Sequence, residues 1–230
     1  MTNSQEPPQP ADSSGSTTTQ NSSVLDWTSA LAQSNGALGG GAGSGVMLAI
    51  AASLISMVCG YTSTEEKGKQ QILTLMDSKA KDLKREALRL ADEDAEASAA
   101  FGAAFRKDPG PDREEAIAHA STGAAKASAA LGELAIPAIA DLKWLAAHGN
   151  PALIADVAVA LGALRAAVTG ARTNVSFDLS KLATGGTDLR QVRSEHTRLW
   201  EMVEALTAAR DEIDEISADI DHRAAPTDAG

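Results

Sequence analysis

Between Asn35 and Gly45 the chain carries six glycines in eleven residues, and it runs without a break into the apolar stretch Val46–Cys59. A glycine inside a helix costs about 1 kcal/mol against alanine. The glycines are therefore expected to form a loop, and the apolar run behind them a buried helix. Unpaired N–H groups at a helix start carry partial positive charge. Glycine also lets a flat ligand approach the main chain. Such a junction suits a carboxylate, a phosphate or an electron-rich ring; the plainer alternative is a turn before a core helix.

A chain of 230 residues is long enough to bury a full core. Hydrophobic residues make up 43% of it but aromatics only 3%, and alanine is abundant. That balance favours close-packed helices over a sheet, which would want more valine, threonine and tyrosine. A net charge of -11 argues against non-specific binding to nucleic acid or to anionic membranes. Val46–Cys59 is short for a membrane span, and no basic-then-apolar leader opens the sequence. The single cysteine, Cys59, allows no intramolecular disulfide and reads as a small core residue. The expectation is a soluble, cytoplasmic protein with neither nucleic acid nor membrane as partner.

Hydrophobic periodicity predicts an all-α fold: a single-domain bundle of long antiparallel helices. Residues 1–23, rich in Ser, Thr, Gln and Pro, are expected to be a disordered tail. Residues 24–221 form the helical domain and 222–230 a frayed end. Within the domain, Val24–Gln33 reads as a short amphipathic helix. Glu65–Arg106 reads as one very long helix or two collinear ones, with a stripe through Ile72, Leu75/Met76, Ala80, Leu83, Ala87, Leu90/Ala91, Ser98 and Phe101. Asp108–Asp112 is a break, Pro137 a kink or division. Gly149-Asn150-Pro151 stops one helix and starts the next. Asp188–Ile220 reads as a last helix with Val192, Leu199, Leu206, Ile213 and Ile220 every seventh residue, a seam for bundle packing or a dimer contact.

Two aspartates stand in apolar settings. Asp156 interrupts the run Ala152–Leu164, and Asp94 falls on the long helix's inward stripe, with Asp92 on the opposite, solvated face. A carboxylate buried in this way must find a partner, bind something or become neutral. It can then act as acid or base near neutral pH. Asn150 is explained as an N-cap, and Asn174 could face inward. His148 precedes the Gly149 turn, where the helix dipole favours it. The sequence has no metal-binding spacing of His and Cys, no nucleophile elbow and no phosphate-binding P-loop.

Four segments in order resemble the cyclodeaminase/cyclohydrolase family of folate enzymes. They are Leu25–Leu31, then Leu38–Gly43 with Ser56–Val58, then Ala91–Ala97, and finally Gly149–Val157 with Asn174-Val175. The chain departs from the family pattern at Ala37, Leu38 and Ala42 around the glycines, and at Ala155 and Asp178 further on. The resemblance implies an all-helical homodimer that binds a reduced folate and needs no metal or cofactor beyond that substrate. It implies closure of 5-formimidoyltetrahydrofolate to the 5,10-methenyl form with release of ammonia, or alternatively hydrolysis of the methenyl form. On this resemblance Asp94 and Asp156 are the acid and base. Gly39, Gly40 and Gly41 line the ligand loop, and Asn150 and Asn174 orient the ligand. A non-catalytic helical dimer that binds a ligand or a protein, and a relative acting on a non-folate amidine, are the readings from other classes.

Overall fold

A computed structural model describes residues 18–34, 38–183 and 188–224. Among them lie eight α-helices and no strand: α1 Val24–Leu31, α2 Gly40–Tyr61, α3 Lys67–Phe105, α4 Pro111–Ala135, α5 Ala138–His148, α6 Ile154–Ser180, α7 Leu189–Glu195 and α8 Thr197–Ala224. They form one all-α domain. Helix α2 packs between α3 and α6, α4 closes on α3 and α6, and α8 lies along α6. The main core draws on Leu48, Ile55 and Val58 of α2, Leu142 and Leu145 of α5, Leu161 and Leu164 of α6, and Leu206 and Ile213 of α8.

The sequence breaks fall where local chemistry puts them. Gly110, with φ at 156°, makes the turn before Pro111 that few other residues could adopt. Pro137 lacks an N–H and divides α4 from α5. The Asn150 side chain accepts from the Ala152 N–H, capping the short 3-10 turn Pro151–Leu153 that leads into α6. The seam of the last helix is buried within this chain, Leu206 and Ile213 completely. It is therefore bundle packing.

Several expectations are corrected. The glycines do not form a loop before α2: Gly40, Gly41, Gly43 and Gly45 are its first turns. The cost of helical glycine is outweighed by contacts only glycine permits. A Cβ on Gly45 would sit 2.8 Å from the Ala91 Cβ and 2.9 Å from the Ala87 carbonyl oxygen, so α3 could not lie where it does. With those turns included, α2 is long and apolar enough by length and composition to cross a membrane, as is the segment Pro151–Ser180. In the bundle, α2 is the core helix against which α3 and α6 pack. The stripe on α3 is buried at Met76, Ala80, Ala87, Leu90 and Ala91, but at its start Leu73 is the buried residue, whereas Ile72 and Leu75 are exposed. The last helix is broken at His196, whose backbone leaves the helical region, giving α7 and α8. Within the tail expected to be disordered, Thr19–Asn21 forms a 3-10 turn docked on α3. There the Thr19 N–H donates to Asp92 at 2.7 Å, so Asp92 is a tether rather than a merely solvated acid. Residues 1–17 and 225–230 of the two expected tails, and the break at 184–187, lie outside the described residues.

Cys59 is buried, and burial followed by the charge of Asp77 pushes its thiol up to about 12. It is an inert core residue.

Candidate active site

The start of α2 points at α3. Three N–H groups at a helix start have no partner inside the helix, and they attract a carboxylate. Asp94, in the eighth turn of α3, supplies it and lies against the main chain of Gly41. A Cβ on Gly41 would fall inside the Asp94 carboxyl group. Gly41 is thus glycine because Asp94 takes its side-chain space. A Cβ on Gly39 or Gly40 would meet nothing within 4 Å.

The same arrangement recurs between α2 and α6. Ser44 of α2 donates to the Gly40 carbonyl at 2.8 Å, and its hydroxyl fills the space where a side chain on Gly170 would be. Small residues on both helices bring the C-terminal half of α6 close to the start of α2. That approach carries Asn174 and Asp178, one helical turn apart on one face, towards Asp94.

The result is a cavity of about 200 Å³ with Gly40 and Gly41 on one side and Asp94 with Ser98 on another. Asn174 and Asp178 close it from α6, Phe177 stands at its edge, and Ser128 reaches it from α4. Two carboxyls therefore share one small hollow. Asp178 is 7% exposed. Burial first, and then the negative charge of Asp94, push its carboxyl up to about 7, against a weaker pull downward from Lys181. Burial also holds Asp94 above the usual carboxylate range, while the Ala42 backbone N–H and the Ser98 hydroxyl favour its charged form. Two like charges in one small cavity disfavour joint ionisation, and Asp178 is the member pushed towards its protonated form by the other's charge.

Of the residues singled out from the sequence, Gly40, Gly41, Asp94 and Asn174 line this cavity. Gly39 is the residue just before α2. Asp156 does not join them. It lies in the first turn of α6 and is only half-buried, so the expectation that its helix removes it from water fails. It precedes Asp178 by 22 residues, about 33 Å of helix. A negative side chain in a helix's first turn is favourable in itself. Asn150 lies at the same remote end, where its amide donates to the Tyr61 carbonyl at 3.1 Å and its main-chain N–H donates to Thr62 Oγ1 at 3.0 Å. The residue missed as an acid is Asp178. Its signal was present: it stands four positions after Asn174, in a stretch where Val175 and Leu179 supply the apolar face.

Residues 23–188 match the family model described as formiminotransferase-cyclodeaminase. The fold is similar to the crystal structure of formiminotetrahydrofolate cyclodeaminase from Thermotoga maritima, with a TM-score of 0.73 and 20% identity, over 88% of this chain and 96% of that one. No curated protein matches the chain.

Proposed function

The chain belongs to the formiminotransferase-cyclodeaminase family, and on that footing we propose that it is a cytoplasmic folate one-carbon enzyme closing 5-formimidoyltetrahydrofolate to 5,10-methenyltetrahydrofolate, with Asp94 and Asp178 as its proton-transfer pair. The observation that carries the reading is the meeting of these two carboxyls in one cavity with the start of α2. Asp178 takes the role that the sequence suggested for Asp156.

The chemistry follows from the protonation states. In the amidinium form of the substrate, N10 attacks the formimino carbon and a new C–N bond forms. Asp94, kept anionic by the Ala42 N–H and Ser98, accepts the N10 proton. Asp178, protonated near neutrality, gives a proton to the amino group on the same carbon. The bond from that carbon to the amino nitrogen then breaks, ammonia leaves, and the methenyl cation remains. One proton passed from Asp94 to Asp178 resets the pair, so no metal or further cofactor enters the cycle. The carboxylate also stabilises the cationic product. Asn174 offers an amide to orient the ring, and Phe177 an apolar edge.

A cavity of about 200 Å³ takes the reacting end of a folate, and the rest of the molecule extends past Phe177. At this edge the Lys181 ammonium lies over the Phe177 ring, 4.5 Å from its centroid. Helix α2 contains no Asp, Glu, Lys or Arg and exposes Met47 and Ile50, and α6 exposes Val159 and Phe177. We propose that a second copy covers this face in a homodimer.

The test is to supply the purified protein with 5-formimidoyltetrahydrofolate and follow methenyl absorbance together with ammonia. Stoichiometric appearance of both is expected. Loss of absorbance from added methenyltetrahydrofolate, with no ammonia from the formimidoyl compound, would make it the cyclohydrolase. Absence of turnover and of any reduced-folate binding would leave a non-catalytic helical protein.

A further inference from the structure

A second and larger hollow lies away from the carboxyl pair. It measures about 740 Å³ and is lined by α3, α5 and the Pro137 division before α5. Helix α3 gives one wall through Lys79, Leu83 and Glu86, successive positions of one helical face. Pro137 and Asp141 of α5 give the other, over an apolar floor that includes Ile55 and Leu134. Its size is that of a small-molecule site, and its lining combines apolar side chains with five charged ones, Lys79, Asp82, Arg85, Glu86 and Asp141.

The charges around it are unequally satisfied. Asp82 is bonded to Arg85 at 2.6 Å, and Glu86 to Arg89 at 2.9 Å, both within α3. Lys79 and Asp141 face each other from opposite walls, and among the described residues neither makes an ion pair. Asp141 is half-buried, and its carboxyl is held up by burial against the opposing pull of Lys79. One cation and one anion thus stand apart across an apolar floor, each without a partner.

We propose that this groove binds a zwitterionic small molecule with an apolar body, its cationic head on Asp141 and its anionic head on Lys79. The body would cover the half-buried Leu83 and Leu134. Each half of the ligand meets a group of the opposite sign, and the ring or chain between them removes the floor from water. The site is independent of the folate reading, because no residue of it lines the Asp94–Asp178 cavity.

The probe is 4-(aminomethyl)benzoate, titrated into the full chain and followed by two-dimensional NMR, with benzylamine and benzoate as one-headed controls. The wild type is expected to bind the zwitterion at one site with a Kd of about 1 mM, and about tenfold more weakly when either head is missing. Asp141→Asn should erase the preference over benzoate, and Lys79→Met the preference over benzylamine. Both changes are near the surface, and circular dichroism verifies that each variant is folded. Asp178→Asn should bind the probe as the wild type does. No saturable binding, an unchanged preference for the zwitterion in either Asp141→Asn or Lys79→Met, or loss of binding in Asp178→Asn would each overturn the proposal.

Discussion

An asparagine and an aspartate stand near each end of α6, Asn150 just ahead of it and the other three within it, and the two pairs have different fates. At its start, Asn150 caps a turn and bonds back to Tyr61, while Asp156 rests half-exposed in the first turn. Towards its end, Asn174 and Asp178 face a cavity shared with Asp94 and the first turn of α2. Residue type is the same; what differs is the neighbour. The first pair meets helix ends and solvent, where a polar group satisfies local backbone needs. The second meets α2 at the point where Gly41 and Ser44 let three helices close together. A carboxyl becomes chemically useful here when small residues on a neighbouring helix let it be enclosed beside another carboxyl.

The sharpest way to break that contrast is to remove one carboxyl from each end. Asp94→Asn or Asp178→Asn should lower kcat in ammonia release by about 10²- to 10⁴-fold, the usual worth of a positioned acid or base. Asp156→Asn should leave kcat within about threefold of wild type, since a first-turn acid contributes to helix stability alone. If the Asp156 variant were as inactive as the other two, the contrast would be wrong and the site would have to be completed by the α6 start of another subunit.

Glycine separates the same two roles at the start of α2. Gly41→Ala places a methyl group inside the Asp94 carboxyl and must move it. Misplacing a catalytic group by about 1 Å costs on the order of 10²-fold in rate. Gly40→Ala adds a methyl group in open space and should change kcat little. Steady-state kinetics of the pair tells whether the backbone there serves Asp94 or contacts the ligand. Comparable losses in both variants would point to direct contact.

These particulars explain what could be read from the sequence. The length of α3, the divisions at Gly110, Pro137 and Gly149, and the seam of α8 follow from local rules, because each depends on residues close in sequence. Asp94 was legible for the same reason: its place on the α3 stripe follows from a single helical period. Asp178 was not, because α6 is apolar over most of its surface, and periodicity cannot say which polar residue on such a helix meets a neighbour. The helical glycines were missed for a related reason. Their cost is local, whereas the contact that outweighs it is with Asp94, Ala87 and Ala91 on another helix.

Stability against pH sharpens the comparison further. The Asp178 carboxyl is pushed up to about 7 in the fold, whereas in the unfolded chain it has the ordinary value near 3.9. Below the ordinary value the group is neutral in both states, and its burial is at its least costly. As pH rises towards the folded value, the unfolded state releases a proton that the fold retains, so stability falls across that window. Asp178→Asn should therefore stabilise the protein by about 2 kcal/mol at about pH 8, with the gain vanishing below about pH 4. Urea unfolding at both pH values measures this.

The smallest expected effect lies at the opposite end of α6. Asn150 is fully employed in structure: it accepts from the Ala152 N–H at 3.0 Å and donates to Tyr61. Replacing it with alanine removes a cap and leaves the Tyr61 carbonyl short of a donor. The expected cost is about 1 kcal/mol in unfolding free energy, with kcat and KM for the formimidoyl substrate unchanged. Asn174→Ala should do the reverse, raising KM with little change in stability, since its side chain faces the cavity. Thermal denaturation and steady-state kinetics on the two variants decide the matter. A large kinetic defect in Asn150→Ala would mean that a neighbouring subunit brings this end of the helix to a substrate after all, and the division of labour along α6 would hold only within one chain.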